Sequence, residues 1–417
     1  MEARLTAAEG LNPAQKLLLE AAACAARGER LRREAPVPEA DWAALLPLAA
    51  AQKLLPLAAE ALCELPEAAA SPGFAALRGA ARRQVLRQTQ KDAAFLRLLR
   101  ALREAKLPVL TVKGCVCRRL YPNGALRISA DEDLLTPPEL AARTAALLQD
   151  CGFAPAEASQ GKDPAVEETA WNGPEGLHIE LHPSLFPQEN GPFDHLETVF
   201  SGVFDRAVVY PLEDGTPVRS LSPQDHLLYL LLHAMKHFIR SGFGLRQLLD
   251  VGLWARRYGP ELDWPLLLRQ TRQVRAERFT AAVFALAEQY LGLTVELPSC
   301  WTELETAPLP LLLDLLDAGI YGSSTRSREH TARITQDAVA AQQSGKRGGL
   351  RTAVFPAART LVEDYPVLRR HPSALPLVWG KRLVRYARRS RRAENPSETV
   401  KLGRQRLALL RQYGILE

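Results

Sequence analysis

The sequence lacks several features that would place it in a particular class of protein. Its 417 residues include no uninterrupted apolar run of about 18 residues, so no membrane span is expected. The six cysteines are scattered and form no C-x-x-C pair, a pattern that indicates reduced thiols rather than a zinc knuckle. The N-terminus carries acidic residues and no apolar stretch of the kind found in a signal peptide. These absences predict a cytoplasmic protein.

Positive charge is concentrated at the C-terminal end of the chain. The whole sequence has 53 basic and 47 acidic side chains, but residues 366–417 alone hold 13 basic and three acidic ones. This basic C-terminal segment has two functional interpretations, binding of nucleic acid or of an anionic membrane surface. No RNA- or DNA-binding motif accompanies it, so a solvated helix face is the preferred interpretation and a nucleic-acid partner is not favoured.

Hydrophobic residues make up 47% of the chain, which excludes a disordered or fibrous protein. Helical periodicity dominates except in the middle of the sequence, where short alternating runs predict strands. We therefore expect an α+β fold in which helices flank a small mixed sheet. Four regions are predicted: an N-terminal helical region (1–106), a mixed αβ core (107–220), a helical domain (221–340) and a C-terminal helical basic region (341–417).

Within these regions the apolar pattern predicts individual elements. Helices are expected at about 12–27, 40–65, 73–106, 223–240, 245–258, 265–292, 374–392 and 397–413. Strands are expected at about 108–112, 127–135, 177–181, 203–210 and 217–219. Two polar stretches, 154–175 and 341–350, are expected to be loops.

The segment Asp131-Glu132-Asp133 is the first candidate for chemistry. Because side chains alternate along a strand, a strand over 127–135 would place Asp131 and Asp133 on the same face. Two neighbouring carboxylates repel each other and are natural ligands for Mg²⁺, which prefers oxygen donors. A D-x-D pattern by itself is weak, and a solvated strand end is the plainer interpretation.

Two neighbouring motifs strengthen the metal interpretation. Lys113-Gly114 follows a short strand and precedes a helix, where a glycine lets backbone N–H groups approach an anion and a lysine adds charge. Further along, Glu180 is flanked by apolar residues on an alternating strand and offers a third carboxylate, with His178 and His182 on its face. Taken alone, Lys113-Gly114 would be interpreted as a plain turn, and the strand that carries Glu180 as one with an exposed polar face.

Taken in order, K-G, D-x-D and E-x-H resemble the uncharacterised nucleotidyltransferase family, a branch of the polymerase-β-like nucleotidyltransferase superfamily. Three features depart from the expected pattern. Lys113-Gly114 stands where Gly-Ser is usual, Glu132 stands where an apolar residue is usual, and Cys115 and Cys117 stand where small apolar residues are expected. The matching segments are Leu107–Gly114, Tyr121–Pro122, Arg127, Asp131–Leu135, Cys151–Phe153, Ile179–His182, Leu221–Leu228, His233–His237 and Leu245–Asp250, with weaker matches at 365–368 and 375–379.

The resemblance implies a nucleotidyltransferase-like core that transfers a nucleotidyl group from an NTP to the hydroxyl of an unknown acceptor by two-metal catalysis. It implies that Asp131, Asp133 and Glu180 are the catalytic carboxylates and hold Mg²⁺, or Mn²⁺ in its place. Lys113, Gly114 and Arg127 are the implied nucleotide-binding residues. The candidates for the acceptor side are His182, His233, His237 and Asp250.

Two other functions remain open from the sequence. The first is a catalytically inactive descendant of the family that binds a nucleotide or a partner protein as a regulator. The second is a nucleic-acid-binding protein that uses the basic C-terminal segment. His233 and His237 also have the i, i+4 spacing of zinc ligands, but H-E-x-x-H is absent. Packed or hydrogen-bonded histidines are the preferred interpretation.

Overall fold

The computed structural model describes residues 10–186, 193–240, 242–319, 326–343, 361, 365, 367–390 and 396–417. It confirms an α+β fold in which helices flank a mixed five-stranded sheet. One continuous cluster of buried apolar residues extends from Leu11 to Leu416 and joins the N-terminal helices, the sheet and the C-terminal helix. Of the described helices, none combines the length and the apolar character needed to cross a membrane.

The N-terminal helices are α1 (Pro13–Arg27), α2 (Glu39–Ala51), α3 (Leu55–Leu62) and α4 (Pro72–Glu104). The sequence predicts one helix over 40–65, but the structure interrupts it between α2 and α3, where Lys53 has a φ of +57°. The interruption lets buried Gln52 accept a hydrogen bond from the N–H of Leu245 and donate one to the carbonyl of Leu315. Long-range bonds therefore override local helix propensity here.

The central sheet has the strand order β1-β2-β5-β4-β3. Its strands are β1 (Leu110–Val112), β2 (Glu132–Leu135), β3 (Ala154–Pro155), β4 (Thr169–Asn172) and β5 (His178–His182). Strand β2 runs antiparallel to β1 and parallel to β5, while β4 is antiparallel to both β5 and β3. The parallel register of β2 and β5 sets Asp133 beside Glu180.

Two stretches of this sheet differ from the prediction. Residues 154–175, expected to be a loop, contain β3 and β4, and in β4 Thr169 and Trp171 are buried while Asn172 is exposed. The strand expected over 127–135 begins only at Glu132, and residues 127–131 form an irregular segment, here called the 127–131 loop. In the 127–131 loop, polar groups form hydrogen bonds with residues that are distant in sequence, Arg127 with Asp250 and Ser129 with Gln88.

Short helices α5 (Gly114–Arg118) and α6 (Ala141–Asp150) follow β1 and β2. A separate hairpin, β6 (Val208–Pro211) and β7 (Pro217–Ser220), leads to the helical region. The helices that follow are α7 (Pro223–Arg240), α8 (Leu245–Tyr258), α9 (Trp264–Gln273), α10 (Glu277–Leu291), α11 (Ser299–Thr302), α12 (Pro308–Ala318), α13 (Arg326–Gln343), α14 (Val367–Arg370), α15 (Leu375–Ser390) and α16 (Pro396–Gln412).

The basic C-terminal segment forms the helices α15 and α16, at the positions where the sequence predicts them. The side chains of residues 383–400, which include much of its positive charge, lie outside the described residues. Most of the expected loop 341–350 also lies outside them. A role of this segment in nucleic-acid binding therefore stays a prediction.

Candidate functional site

Many charged side chains gather around a cleft with a volume of about 230 Å³. The cleft lies between the β2–β5 strand pair, the turn before α5, and the helices α7 and α8. Its acidic lining is formed by Asp131, Asp133, Glu168 and Glu180. A second part of the lining, here called the basic wall, is formed by Lys236 and Arg240 from α7 and Arg246 from α8.

The acidic lining holds a group that could bind a metal ion. One ligand atom from each of Asp133, Glu180 and His182 lies within 4.8 Å of the others. The pairing of β2 with β5 brings Asp133 and Glu180 side by side, and the two-residue period of β5 returns His182 to the same face. Asp133 and His182 are buried, and Glu180 is partly exposed to the cleft.

Asp133 has cationic partners in this group. Its Oδ1 accepts a hydrogen bond from the Lys113 ammonium at 2.8 Å and lies 3.1 Å from Nε2 of His182. Burial alone would raise the pKa of Asp133, but Lys113 and His182 hold it well below its ordinary value. The carboxylate is therefore ionised, and its charge is already balanced by neighbouring groups.

His182 carries a proton at neutral pH. Burial alone would lower its pKa, but hydrogen bonds to Asp133 and Glu180 raise the pKa to about 9, with a further contribution from Glu168. Glu168 Oε2 lies 3.4 Å from Nδ1 of this histidine. The protonated ring thus acts as a donor that aligns the surrounding carboxylates.

Asp131 lines the same cleft but stands apart from the metal-binding group. It precedes β2 and belongs to the 127–131 loop, and its carboxylate is not among the three grouped ligand atoms. Lys53 and Lys113 are the cations with which it interacts electrostatically. Of the three predicted carboxylates, the structure brings Asp133 and Glu180 together and leaves Asp131 at the edge.

Glu132 points away from the cleft, although it stands between the two aspartates. Its Oε1 forms an ion pair with Arg118 at 2.7 Å, and its Oε2 accepts a hydrogen bond from the N–H of Cys115 at 2.8 Å. This carboxylate therefore occupies the N-terminus of α5, where its charge is favourable. The residue that departs from the family pattern is a structural partner of the Lys113-Gly114 turn.

The Lys113-Gly114 turn has an unusual backbone. Lys113 has a φ of +56°, and its N–H donates to Nε2 of His226 at 3.1 Å. Gly114 has a φ of +23°, and a Cβ placed on it would lie 1.8 Å from Oε2 of Glu132. The turn requires glycine because Glu132 approaches it so closely.

The structure pairs Arg127 with Asp250. Arg127 was predicted to contact the nucleotide, and Asp250 was predicted to lie on the acceptor side. The guanidinium donates to both oxygens of Asp250, at 3.0 and 2.7 Å, and the hydroxyl of Tyr121 donates to the same carboxylate at 2.8 Å. Both charged side chains are almost fully buried. This bidentate pair ties the 127–131 loop to α8.

His233 and His237 face the cleft from α7, and their Nε2 atoms are 3.3 Å apart. Nε2 of His233 accepts a hydrogen bond from Lys113 at 3.0 Å. Burial, together with Lys113 for His233 and Lys236 for His237, lowers both pKa values well below the ordinary range, so both rings are neutral. They form no metal-binding group with a third described ligand.

Four charged residues of the cleft could not be assigned to it from the sequence: Glu168, Lys236, Arg240 and Arg246. Glu168 lies in a stretch that was predicted to be a loop. Thr169 and Trp171, which alternate along β4 and are both buried, were the signal for a strand there. Lys236 and Arg240 follow His233 at helical spacing, so the histidine stripe itself pointed to them. Arg246 donates to the carbonyl of Ile128 at 2.7 Å.

Comparison with known proteins connects this site to a family. A family model described as an uncharacterised nucleotidyltransferase matches residues 38–292, which is more than half of the chain. The match spans helices α2–α10 and both sheets, and so includes every residue of the cleft. No curated protein and no solved structure matches the chain.

Proposed function

The chain belongs to the uncharacterised nucleotidyltransferase family, and we propose that it transfers a nucleotidyl group from an NTP to an acceptor hydroxyl with the help of Mg²⁺. The observation that carries the proposal is the gathering of Asp133, Glu180 and His182 within 4.8 Å in a charged cleft. A family match without such a group would favour a binding protein instead.

The donor set fits a hard divalent cation. Asp133 and Glu180 supply carboxylate oxygens, which Mg²⁺ and Mn²⁺ prefer, and Asp131 lies at the edge of the cleft as a third carboxylate. In this proposal Asp131 and Asp133 hold the ion on the triphosphate and Glu180 completes a second site. Bound metal would neutralise phosphate charge and polarise the attacking and leaving oxygens.

The protein's own residues then orient the reactants. Protonated His182 fixes the carboxylates of Asp133 and Glu180, and Lys113 brings a positive charge to the floor of the cleft. Neutral His233 and His237 line the side of the cleft from α7, where they would contact the acceptor. Arg127 and Asp250 act through the 127–131 loop, whose position sets that of Asp131.

One observation favours a second candidate, a catalytically inactive protein that binds a nucleotide as a regulator. The Lys113 ammonium already lies 2.8 Å from Asp133, where it balances the charge that a metal ion would otherwise balance. In the enzyme, Asp133 would hold the ion in place of the Lys113 ammonium, which would then be free to contact the phosphates. In a regulator, the ion pair would persist and nucleotide binding would not need metal.

The two candidates are separated by nucleotide binding and transfer measured with and without Mg²⁺. We expect tight NTP binding to require the metal, and labelled NTP to transfer its nucleotidyl group to an acceptor fraction from cell extract. Asp133→Asn and Glu180→Gln should lose the NTP binding that depends on Mg²⁺. Glu303→Gln, which changes an exposed carboxylate outside the cleft, should bind the NTP with Mg²⁺ as wild type does. Binding that is independent of metal and unchanged in the Asp133 variant would refute the enzyme.

A further inference from the structure

The buried cations of the cleft fall into two classes. Lys113 and Arg127 are paired with Asp133 and Asp250, and nearby Arg118 is paired with Glu132. In contrast, Lys236 and Arg246 are 8% and 9% exposed and form no ion pair with any carboxylate that the structure describes. Carboxylates act on these cations only from a distance, Glu168 and Glu180 on Lys236 and Asp250 on Arg246. A buried cation without a close anionic partner is unfavourable, so both side chains would gain from an anion bound in the cleft.

The unpaired cations share one wall. Lys236 and Arg240 are one helical turn apart on α7, and both line the cleft together with Arg246 of α8. Arg246 holds the carbonyl of Ile128 through Nη1, while its buried Nε has no hydrogen-bond partner among the described residues. Burial and the nearby Arg240 lower the pKa of Lys236 to about 8, and Glu168 and Glu180, which act in the opposite direction, offset this only in part.

The turn that the sequence suggests for phosphate binding is not available to a ligand. The N–H of Lys113 donates to His226, and the N–H of Cys115 donates to the carboxylate of Glu132. Glu132 also places a negative charge at the start of α5, where it would repel a phosphate. Arg127 is likewise saturated by Asp250. These backbone N–H groups and the Arg127 side chain are therefore occupied, and phosphates need groups besides the Lys113 ammonium to hold them.

We infer that the basic wall of Lys236, Arg240 and Arg246 binds the triphosphate of the NTP, in the same cleft as the carboxylates that would hold the metal. This inference rests on the proposed function and names the residues that recognise the substrate. Two sets of elements then divide the two tasks: carboxylates of β2, β5 and their neighbouring segments bind cations, and side chains of α7 and α8 bind the polyphosphate anion.

The test measures binding of inorganic tripolyphosphate and of the four ribonucleoside triphosphates with Mg²⁺ to the full-length protein. Lys236→Gln, Arg240→Gln and Arg246→Gln are compared with wild type and with Arg257→Gln. Arg257 is an exposed arginine outside the cleft that pairs with Glu261. We expect tripolyphosphate to compete with the NTP, each cleft variant to weaken both at least about tenfold, and the control to bind as wild type does.

Stability of the ligand-free protein separates binding from a structural role. Removing an unpaired buried cation should leave the melting temperature of Lys236→Gln equal to or above that of wild type, while the stabilisation by tripolyphosphate falls. Arg240 is exposed, so its variant keeps the test valid if a buried variant fails to fold. Wild-type tripolyphosphate affinity in these variants, or binding that does not compete with the NTP, would overturn the inference.

The outcomes also distinguish the basic wall from the proposed function. If tripolyphosphate binds wild type and is lost in the variants but no nucleotide is transferred, the anion site stands and the transferase proposal fails. If nucleotide transfer proceeds with full NTP affinity in Arg240→Gln and Lys236→Gln, the transferase stands and the basic wall fails. If wild type binds neither tripolyphosphate nor any NTP, both fail.

Discussion

The ion pair between Arg127 and Asp250 permits a quantitative prediction about the cleft. Both side chains are almost fully buried, and two hydrogen bonds of 3.0 and 2.7 Å join them. Removing one partner leaves the other charged and buried, so we expect Arg127→Met and Asp250→Asn each to lower the free energy of unfolding by about 3–5 kcal/mol. The double variant no longer buries an unpaired charge and should lose much less than the sum.

Urea denaturation followed by circular dichroism measures all four free energies. We expect a coupling energy of about 2–3 kcal/mol for Arg127 and Asp250. The exposed pair Arg257 and Glu261 serves as the control, for which about 0.3–0.5 kcal/mol is expected. Losses at Arg127 and Asp250 that add to within about 0.5 kcal/mol would show that the pair does not act as a unit.

The same variants decide what Arg127 does. If it positions the 127–131 loop through Asp250, both single variants should weaken metal-dependent NTP binding to the same extent. If its guanidinium instead leaves Asp250 to contact a phosphate, Arg127→Met should weaken tripolyphosphate binding while Asp250→Asn leaves it intact or strengthens it. The first result is expected, because the carboxylate of Asp250 already satisfies both donors.

Three further predictions concern single residues. Gly114→Ala should lower the free energy of unfolding by at least about 2 kcal/mol in urea denaturation, because the added Cβ would lie 1.8 Å from Glu132. Glu132→Gln should cost about 3 kcal/mol in the same assay, because it removes one of the two carboxylates that pair with the buried Arg118, each at 2.7 Å. The folded protein lowers the pKa of Lys236 to about 8 from the ordinary value of 10.5. Its buried charge therefore destabilises the fold below pH 8, and this destabilisation disappears as the pH rises from 8 to 10.5. Wild type should therefore gain about 3 kcal/mol over that interval relative to Lys236→Met. Equal pH profiles would contradict this reasoning.

The parts of the fold that local patterns specify could be predicted from the sequence. Helices α7 and α8 lie at the residues that their apolar periodicity indicates. Strand alternation indicated that His182 shares the face of Glu180, and both side chains line the cleft. These properties follow from the period of the element that carries the residue.

The partners of charged residues could not be predicted in the same way. Nothing local indicates that Glu132 turns back to the N–H of Cys115, or that Arg127 pairs with a residue on α8. Each of these contacts depends on how distant segments pack, and so does the break in the helix at Lys53. The division into four regions likewise stays a prediction.

Helix α4 has a consequence for how the protein unfolds. Gln88 accepts a hydrogen bond from the N–H of Ser129, Lys91 donates to the carbonyl of Ala130, and Asp92 pairs with Arg118. The middle of this N-terminal helix is therefore the support on which the 127–131 loop rests. A protease cut or truncation inside α4 would release the loop that carries Asp131, so the N-terminal helices and the cleft should melt in a single cooperative transition rather than as separable units.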